Sequence, residues 1–185
     1  LDAAREAALA GADALVATVP GIAALLCFAD CVHVIVVSPT GRFAVAHAGW
    51  RGVENGVAAK AVRALARADA AELGEDAASG YNVYVGPHIH ASCFETGADV
   101  RKRFEDRFGS SCIPDERHVD LLEALTVGLE EAGIDRARVA DAGVCTVCSC
   151  DEFFSYRAAG GICGRHGAVA FRKAGLAAWD SKSAT

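Results

Sequence analysis

The chain has 185 residues, 52% of them hydrophobic and 23% charged, a composition that fits one globular domain with a sizeable core and excludes a disordered chain. A net charge of −6 argues against a nucleic-acid binder, whose affinity comes largely from basic side chains. Apolar runs such as Val34-Ile35-Val36-Val37 stop well short of the ~18 residues of a membrane span. The eight cysteines sit in a chain too large to need staples and read as mainly reduced, which suggests a cytoplasmic protein. The chain opens Leu-Asp-Ala-Ala-Arg, without initiator Met or secretory pattern, and reads as trimmed at its start.

In chain order, Ala3 to Ala10 reads as a short Ala-rich helix with a turn at Gly11. Ala23 to Phe28 and Val32 to Val37 are apolar runs of strand length. The turn Ser38-Pro39-Thr40-Gly41 leads to a third strand, Phe43 to His47. Between Val53 and Leu73 the apolar period changes to that of a helix, with Gly74 as its stop. Asn82 to Val85 is another strand, and Ala98 to Phe108 and Asp120 to Ala132 are helices. Strands near Arg138 to Val144 and Ala168 to Phe171 complete the pattern. Hairpins mixed with helices predict an α+β fold, a mixed β-sheet core flanked by helices, in a single domain over residues 1–185.

Three segments place reactive side chains beside glycines or at element ends. In Ala46-His47-Ala48-Gly49-Trp50-Arg51-Gly52, His47 ends an apolar strand, and the glycines let backbone approach a bound group. Arg51 adds a planar cation suited to phosphate or carboxylate. The alternative is a core histidine beside a surface arginine. Between Gly86 and Glu95, His88, His90 and Cys93 could supply metal ligands, and a His-x-His strand would put both rings on one face. His118 stands just before a helix, where a histidine is often a mere neighbour of the cap. The Cys145-Thr-Val-Cys148-Ser-Cys150 run lacks a second Cys-x-x-Cys pair, and reads as buried strand-end thiols rather than half a zinc site.

These stretches, in order, resemble the multicopper-polyphenol-oxidase-like, or laccase-domain, family, which is described as purine nucleoside phosphorylases. The matching residues are Phe28-Ala29-Asp30-Cys31, then His47 to Gly52, then Gly86-Pro87-x-Ile89 leading to Cys93-Phe94-Glu95. They continue with His118-x-Asp120-Leu121, Cys145-Thr146, Phe153 to Arg157 and Gly164-Arg165. Nothing here matches the family's usual early His-Gly segment; Cys163 replaces a common Thr, and His88 and His90 stand where small residues or Cys are frequent.

The resemblance implies a metal held by His47, Cys93 and His118. Imidazole with thiolate favours zinc, with copper also compatible, and three distant ligands suit a catalytic site with an open fourth position. It further implies a purine nucleoside and phosphate as substrates, and phosphorolysis with adenosine deamination alongside; the charge and the short apolar runs speak against a nucleic-acid or membrane partner. Asp30 is the expected proton-transfer group and Cys31 a pocket residue less suited to act as nucleophile, while Arg51, Tyr156 and Arg165 are expected to bind substrate. The alternatives are a copper polyphenol oxidase, a cell-wall precursor amide hydrolase and a non-enzymatic metal-binding module. The first is disfavoured because a multicopper centre needs on the order of ten histidines, against six here.

Overall fold

The apolar alternation of the first half of the chain folds into hairpins. The computed structural model describes residues 11–173 together with Glu6; the helix expected over Ala3 to Ala10 otherwise lies outside the described residues. The strands are β1 (Ala14–Ala17), β2 (Ala23–Phe28), β3 (Val32–Val37), β4 (Phe43–Ala48), β5 (Asn82–Val85), β6 (Val139–Asp141) and β7 (His166–Phe171). The helices are α1 (Trp50–Glu54), α2 (Val57–Leu73), α3 (Ala98–Phe108) and α4 (Leu121–Glu130).

Five strands form a mixed sheet in the order β1-β4-β3-β5-β6, with β5 and β6 parallel and the other neighbours antiparallel. Strands β2 and β7 make a separate antiparallel ribbon. Because side chains alternate across a strand, β3 serves two cores. Val32, Val34 and Val36 pack with Val62 and Leu65 of α2 and Leu121, Leu125 and Leu129 of α4. Ile35, on the opposite face, packs with Leu26 and Phe28 of the ribbon. The result is a layer of helices, a five-stranded sheet and a two-stranded ribbon, an α+β architecture. Among the described residues no helix is long and apolar enough to cross a membrane.

Three elements differ from the sequence reading. The helix expected from Val53 to Leu73 is broken, because Gly56 takes a left-handed conformation (φ 67°) between α1 and α2. The strand expected from Arg138 to Val144 shrinks to β6. A 3₁₀ turn at Arg136–Arg138, capped by the Asp135 side chain, takes its start, and Gly143 (φ 68°) follows its end. Strand β1, which was not anticipated, pairs with the edge of β4 over Ala14 to Ala17.

Candidate active site

The ribbon and the main sheet meet at the Ala29–Cys31 turn between β2 and β3. Asp30 there has φ 79°, the one positive value of a non-glycine among the described residues. Holding an L-residue so costs roughly 1–2 kcal/mol, and the bonds around Asp30 offset it. Its carbonyl accepts from the Ile89 N–H (2.9 Å), its Oδ1 from the Thr146 hydroxyl (2.7 Å) and its Oδ2 from the Arg157 backbone N–H (2.7 Å). The residue is only 8% exposed. One residue, through its carboxylate and its carbonyl, thus ties three segments distant in sequence around a single turn.

Beside that turn lies a cavity of about 590 Å³, a size typical of small-molecule sites. Asp30, Cys31, His47, Arg51, Tyr156 and Arg165, all singled out from sequence, line it. Cys93 and His118 do not; their neighbours Phe94 and Thr96 do. Gly49 lets strand β4 pass close to the Cys31 turn, since a Cβ there would fall 3.1 Å from Cys31 Sγ. Burial, helped by the Asp30 charge, pushes the Cys31 thiol above its ordinary pKa, which disfavours the nucleophilic thiolate. The Arg51 guanidinium lies 4.2 Å from the Trp50 ring centre, a cation–π contact at the helix start. Arg165 donates to the carbonyls of Cys163 (3.0 Å) and Gly164 (2.9 Å).

Arg157 was legible only as part of a motif, yet it is central to the wall. Besides its N–H bond to Asp30, its guanidinium donates to the carbonyls of Cys93 (3.2 Å) and Glu95 (3.1 Å). Trp50 and Phe94, the aromatic walls, gave no separate signal because large apolar residues are common in any core.

The expected metal ligands arrive on separate elements. His47 is the penultimate residue of β4, Cys93 closes a 3₁₀ turn over Ala91–Cys93, and His118 forms an antiparallel bridge with Glu95. That bridge brings the Cys93 turn and the His118 segment side by side. Each histidine has a carboxylate at Nδ1: both Asp115 oxygens lie 2.9 Å from that of His118, and Asp13 Oδ1 lies 3.5 Å from that of His47. A carboxylate placed as Asp115 is beside His118 is the usual outer partner of a metal-binding imidazole and leaves Nε2 for the metal. The donor set therefore suits zinc in its chemistry. Glu95, the other carboxylate near Cys93, is held below the usual carboxylate range by the Arg117 guanidinium, 2.8 Å away.

One group of three side chains among the described residues has its ligand atoms all within 4.8 Å of one another: Cys93, Cys145 and Cys148. His47 and His118 lie outside that group. The reading of Cys145, Cys148 and Cys150 as buried strand-end thiols is corrected here. Cys145 makes an isolated bridge with His88, but the chain then turns, leaving Cys148 and Cys150 exposed. The Sγ atoms of Cys93 and Cys148 are 3.6 Å apart, and the His90 N–H points at Cys145 Sγ over 3.4 Å. Burial raises the Cys145 thiol, yet N–H groups of His90, Cys148 and Val147 outweigh it, and its pKa falls below the ordinary value. The Cys93 and Cys145 thiols push Cys148 up to about 11.

His88 and His90 are not on a strand, although their ring centres are 4.9 Å apart. His88 is fully buried, its Nδ1 2.9 Å from the Gly86 carbonyl, and burial lowers its pKa.

Comparison with known proteins bears on this arrangement. The family model described as "Multi-copper polyphenol oxidoreductase laccase" matches residues 1–173. The chain is 34% identical over 177 residues to adenosine deaminase RL5 of an unknown prokaryotic organism, a match covering 91% of this chain and 65% of the relative. It is 30% identical over 153 residues to a purine nucleoside phosphorylase of Xylella fastidiosa, covering 79% and 55% respectively. The crystal structure of YlmD from Geobacillus stearothermophilus superposes with a TM-score of 0.76 at 30% identity, covering 88% of this chain and 62% of that one. The chain therefore spans less than two thirds of these relatives' length.

Proposed function

This chain belongs to the multi-copper polyphenol oxidoreductase laccase family, and from that premise we propose that it is a zinc-dependent purine nucleoside phosphorylase that also deaminates adenosine. The observation that carries the reading is the cavity, which gathers a carboxylate, a histidine, three arginines and aromatic walls in a space fitted to a small molecule. Relatives bearing both activity names support it.

In this reading His47, Cys93 and His118 hold the zinc. Such an ion, when bound with an open position, supplies Lewis acidity and lowers the pKa of a bound water. The purine lies against Trp50, Phe94 and Tyr156, whose faces exclude water from one side of the substrate. Arg51 holds phosphate in charge-assisted hydrogen bonds, with Arg165 on the same cavity wall. In phosphorolysis a phosphate oxygen bonds to the ribose carbon as the bond to the purine nitrogen breaks, and the departing base takes up a proton. Asp30 is the cavity's carboxylate and relays that proton, taking it from the attacking dihydrogen phosphate and delivering it to the departing base. Its two oxygens accept one hydrogen bond each, which leaves a lone pair on each for the transfer. The family's oxidase name implies copper chemistry that six histidines are too few to house in a multicopper centre.

Inosine and adenosine, each incubated with and without phosphate, test the proposal. Free base with ribose 1-phosphate should form only when phosphate is present, and adenosine should yield inosine and ammonia without it. Replacing His47, Cys93 or His118 by Ala should abolish both activities. Oxygen consumption on a phenol by copper-loaded protein, with no nucleoside turnover under any condition, would overturn the reading.

A further inference from the structure

We propose that Cys93, Cys145 and Cys148 form a separate soft-metal site that takes a thiophilic d¹⁰ cation, Cu(I) or Zn(II), with Cys93 shared between it and the histidine site. The cluster joins two segments. Cys145 and Cys148 have the Cys-x-x-Cys spacing of a metal knuckle, and the chain between them is bent by the Ser149 N–H bonding the Cys145 carbonyl at 2.9 Å. The third thiol comes from the turn that ends at Cys93, locked in place by the Arg157 guanidinium on its carbonyl.

The dimensions fit. Metal–sulfur bonds of about 2.3 Å in a trigonal arrangement separate the sulfurs by about 4 Å. The three Sγ atoms already lie within 4.8 Å of one another, with Cys93 and Cys148 at 3.6 Å. Small side-chain rotations close the site without moving the backbone. Three sulfurs favour Cu(I), because thiolates are soft donors and structural zinc almost always takes four ligands. Zinc would need a fourth, which water can reach at the exposed Cys148. The His90 N–H aimed at Cys145 Sγ supplies the outer hydrogen bond that orients a metal-bound thiolate. On coordination each bound thiol releases its proton to the buffer, so no redox partner is required.

The site stands independently of the histidine site, because Cys145 and Cys148 play no part there. Its occupant would withdraw Cys93 from His47 and His118, so the two sites compete for one thiolate.

The test uses the whole chain, reduced and stripped of metal under anaerobic conditions. Cu(I) and Zn(II) are titrated in separate arms while thiolate-to-metal absorption is followed, and a mass-resolved alkylation count records which cysteines are protected. A double variant, His47→Ala with His118→Ala, removes the other site while leaving all three sulfurs. It should still bind one Cu(I) and protect Cys93, Cys145 and Cys148 together. Cys148→Ser lies on an exposed turn and should weaken Cu(I) by more than the roughly 100-fold that loss of an outer partner costs. Cys150→Ser, outside the cluster, should change nothing. Zinc binding to the same three thiols more tightly than Cu(I) would identify the second member of the class as the occupant. If neither metal shields Cys145 and Cys148 from alkylation in the double variant, or if Cys148→Ser binds Cu(I) as tightly as the parent, the site does not exist.

Discussion

His33 enters the ribbon-side core from β3, stacked on Phe28 with ring centres 3.7 Å apart and planes 14° apart. Space for it exists because residue 86 is glycine: a Cβ there would fall 1.8 Å from His33 Nε2. The ring is 5% exposed, its Nδ1 has no hydrogen-bond partner, and burial, reinforced by His166, His88 and His47, lowers its pKa from 6.5 to about 4. Above pH 6.5 the ring is neutral whether the chain is folded or unfolded, and titration costs nothing. Between 6.5 and 4 the unfolded chain takes up a proton that the folded one refuses, so stability falls by on the order of 3 kcal/mol and the loss is complete near pH 4. Urea denaturation at pH 7.5 and 4.5 should show this loss in the parent and a smaller one in His33→Gln. Parallel losses in the two proteins would assign the acid sensitivity to other groups. At this scale the sequence displayed residues whose chemistry is local. His47 and Arg51 stand out beside glycines, whereas the Cys93–Cys145–Cys148 cluster joins distant segments and the Cys-x-x-Cys pair alone gave no sign of its third member. Asp30 was visible as a carboxylate, but its positive φ and its grip on Thr146 and Arg157 exist only in the fold.

Helix α2 is fastened to the β3–β4 hairpin by one buried carboxylate. Asp69, fully buried, accepts from the Thr40 hydroxyl (2.9 Å), the Arg42 guanidinium (2.7 Å) and the Tyr81 hydroxyl (2.7 Å). Burial alone would raise its pKa, but the donors outweigh that effect and hold it ionised below the usual range. Asp69→Asn removes the charge and replaces one acceptor oxygen by a donor, leaving Arg42 with Glu72 as its one carboxylate partner. Losing the charge-assisted hydrogen bond from Arg42 costs about 1.5–3 kcal/mol, which for a chain of this size is a fall of roughly 5–10 °C in Tm. Calorimetry checks it, and a fall of only a degree or two would show the network to be dispensable. Elements are legible where the apolar period is uninterrupted: β2, β3, β5 and α3 have the bounds expected from sequence. The errors fall where one glycine or one turn decides. Gly56 splits a helix whose apolar face continues across the break, and β1 is an edge strand whose Ala-Leu-Val-Ala pattern carries almost no polar alternation.

Across the whole molecule, a net charge of −6 repels anions at long range, so any phosphate must be captured by local side chains. The cavity carries three arginines, and two are already engaged: Arg157 by the carbonyls of Cys93 and Glu95, and Arg165 by those of Cys163 and Gly164. Arg51 instead lies over the Trp50 ring, 4.2 Å from its centre, a cation–π contact that occupies none of its N–H donors with a carbonyl. Under the proposed function Arg51 is therefore the arginine expected to take the anion. A charge-assisted hydrogen bond contributes about 1.5–3 kcal/mol, so Arg51→Ala should raise KM for phosphate by about 10- to 100-fold. Zinc content and KM for the nucleoside should stay near the parent's. Arg51→Lys keeps the charge but loses the planar fork, and should fall between the two. Calorimetric titration of phosphate into the metal-loaded protein measures the same loss without turnover. Sulfate, a tetrahedral anion of similar size, should compete with phosphate in the parent and not in Arg51→Ala. If phosphate binds Arg51→Ala as tightly as the parent, Arg51 is a surface cation resting on Trp50, and the anion-binding role passes to Arg165.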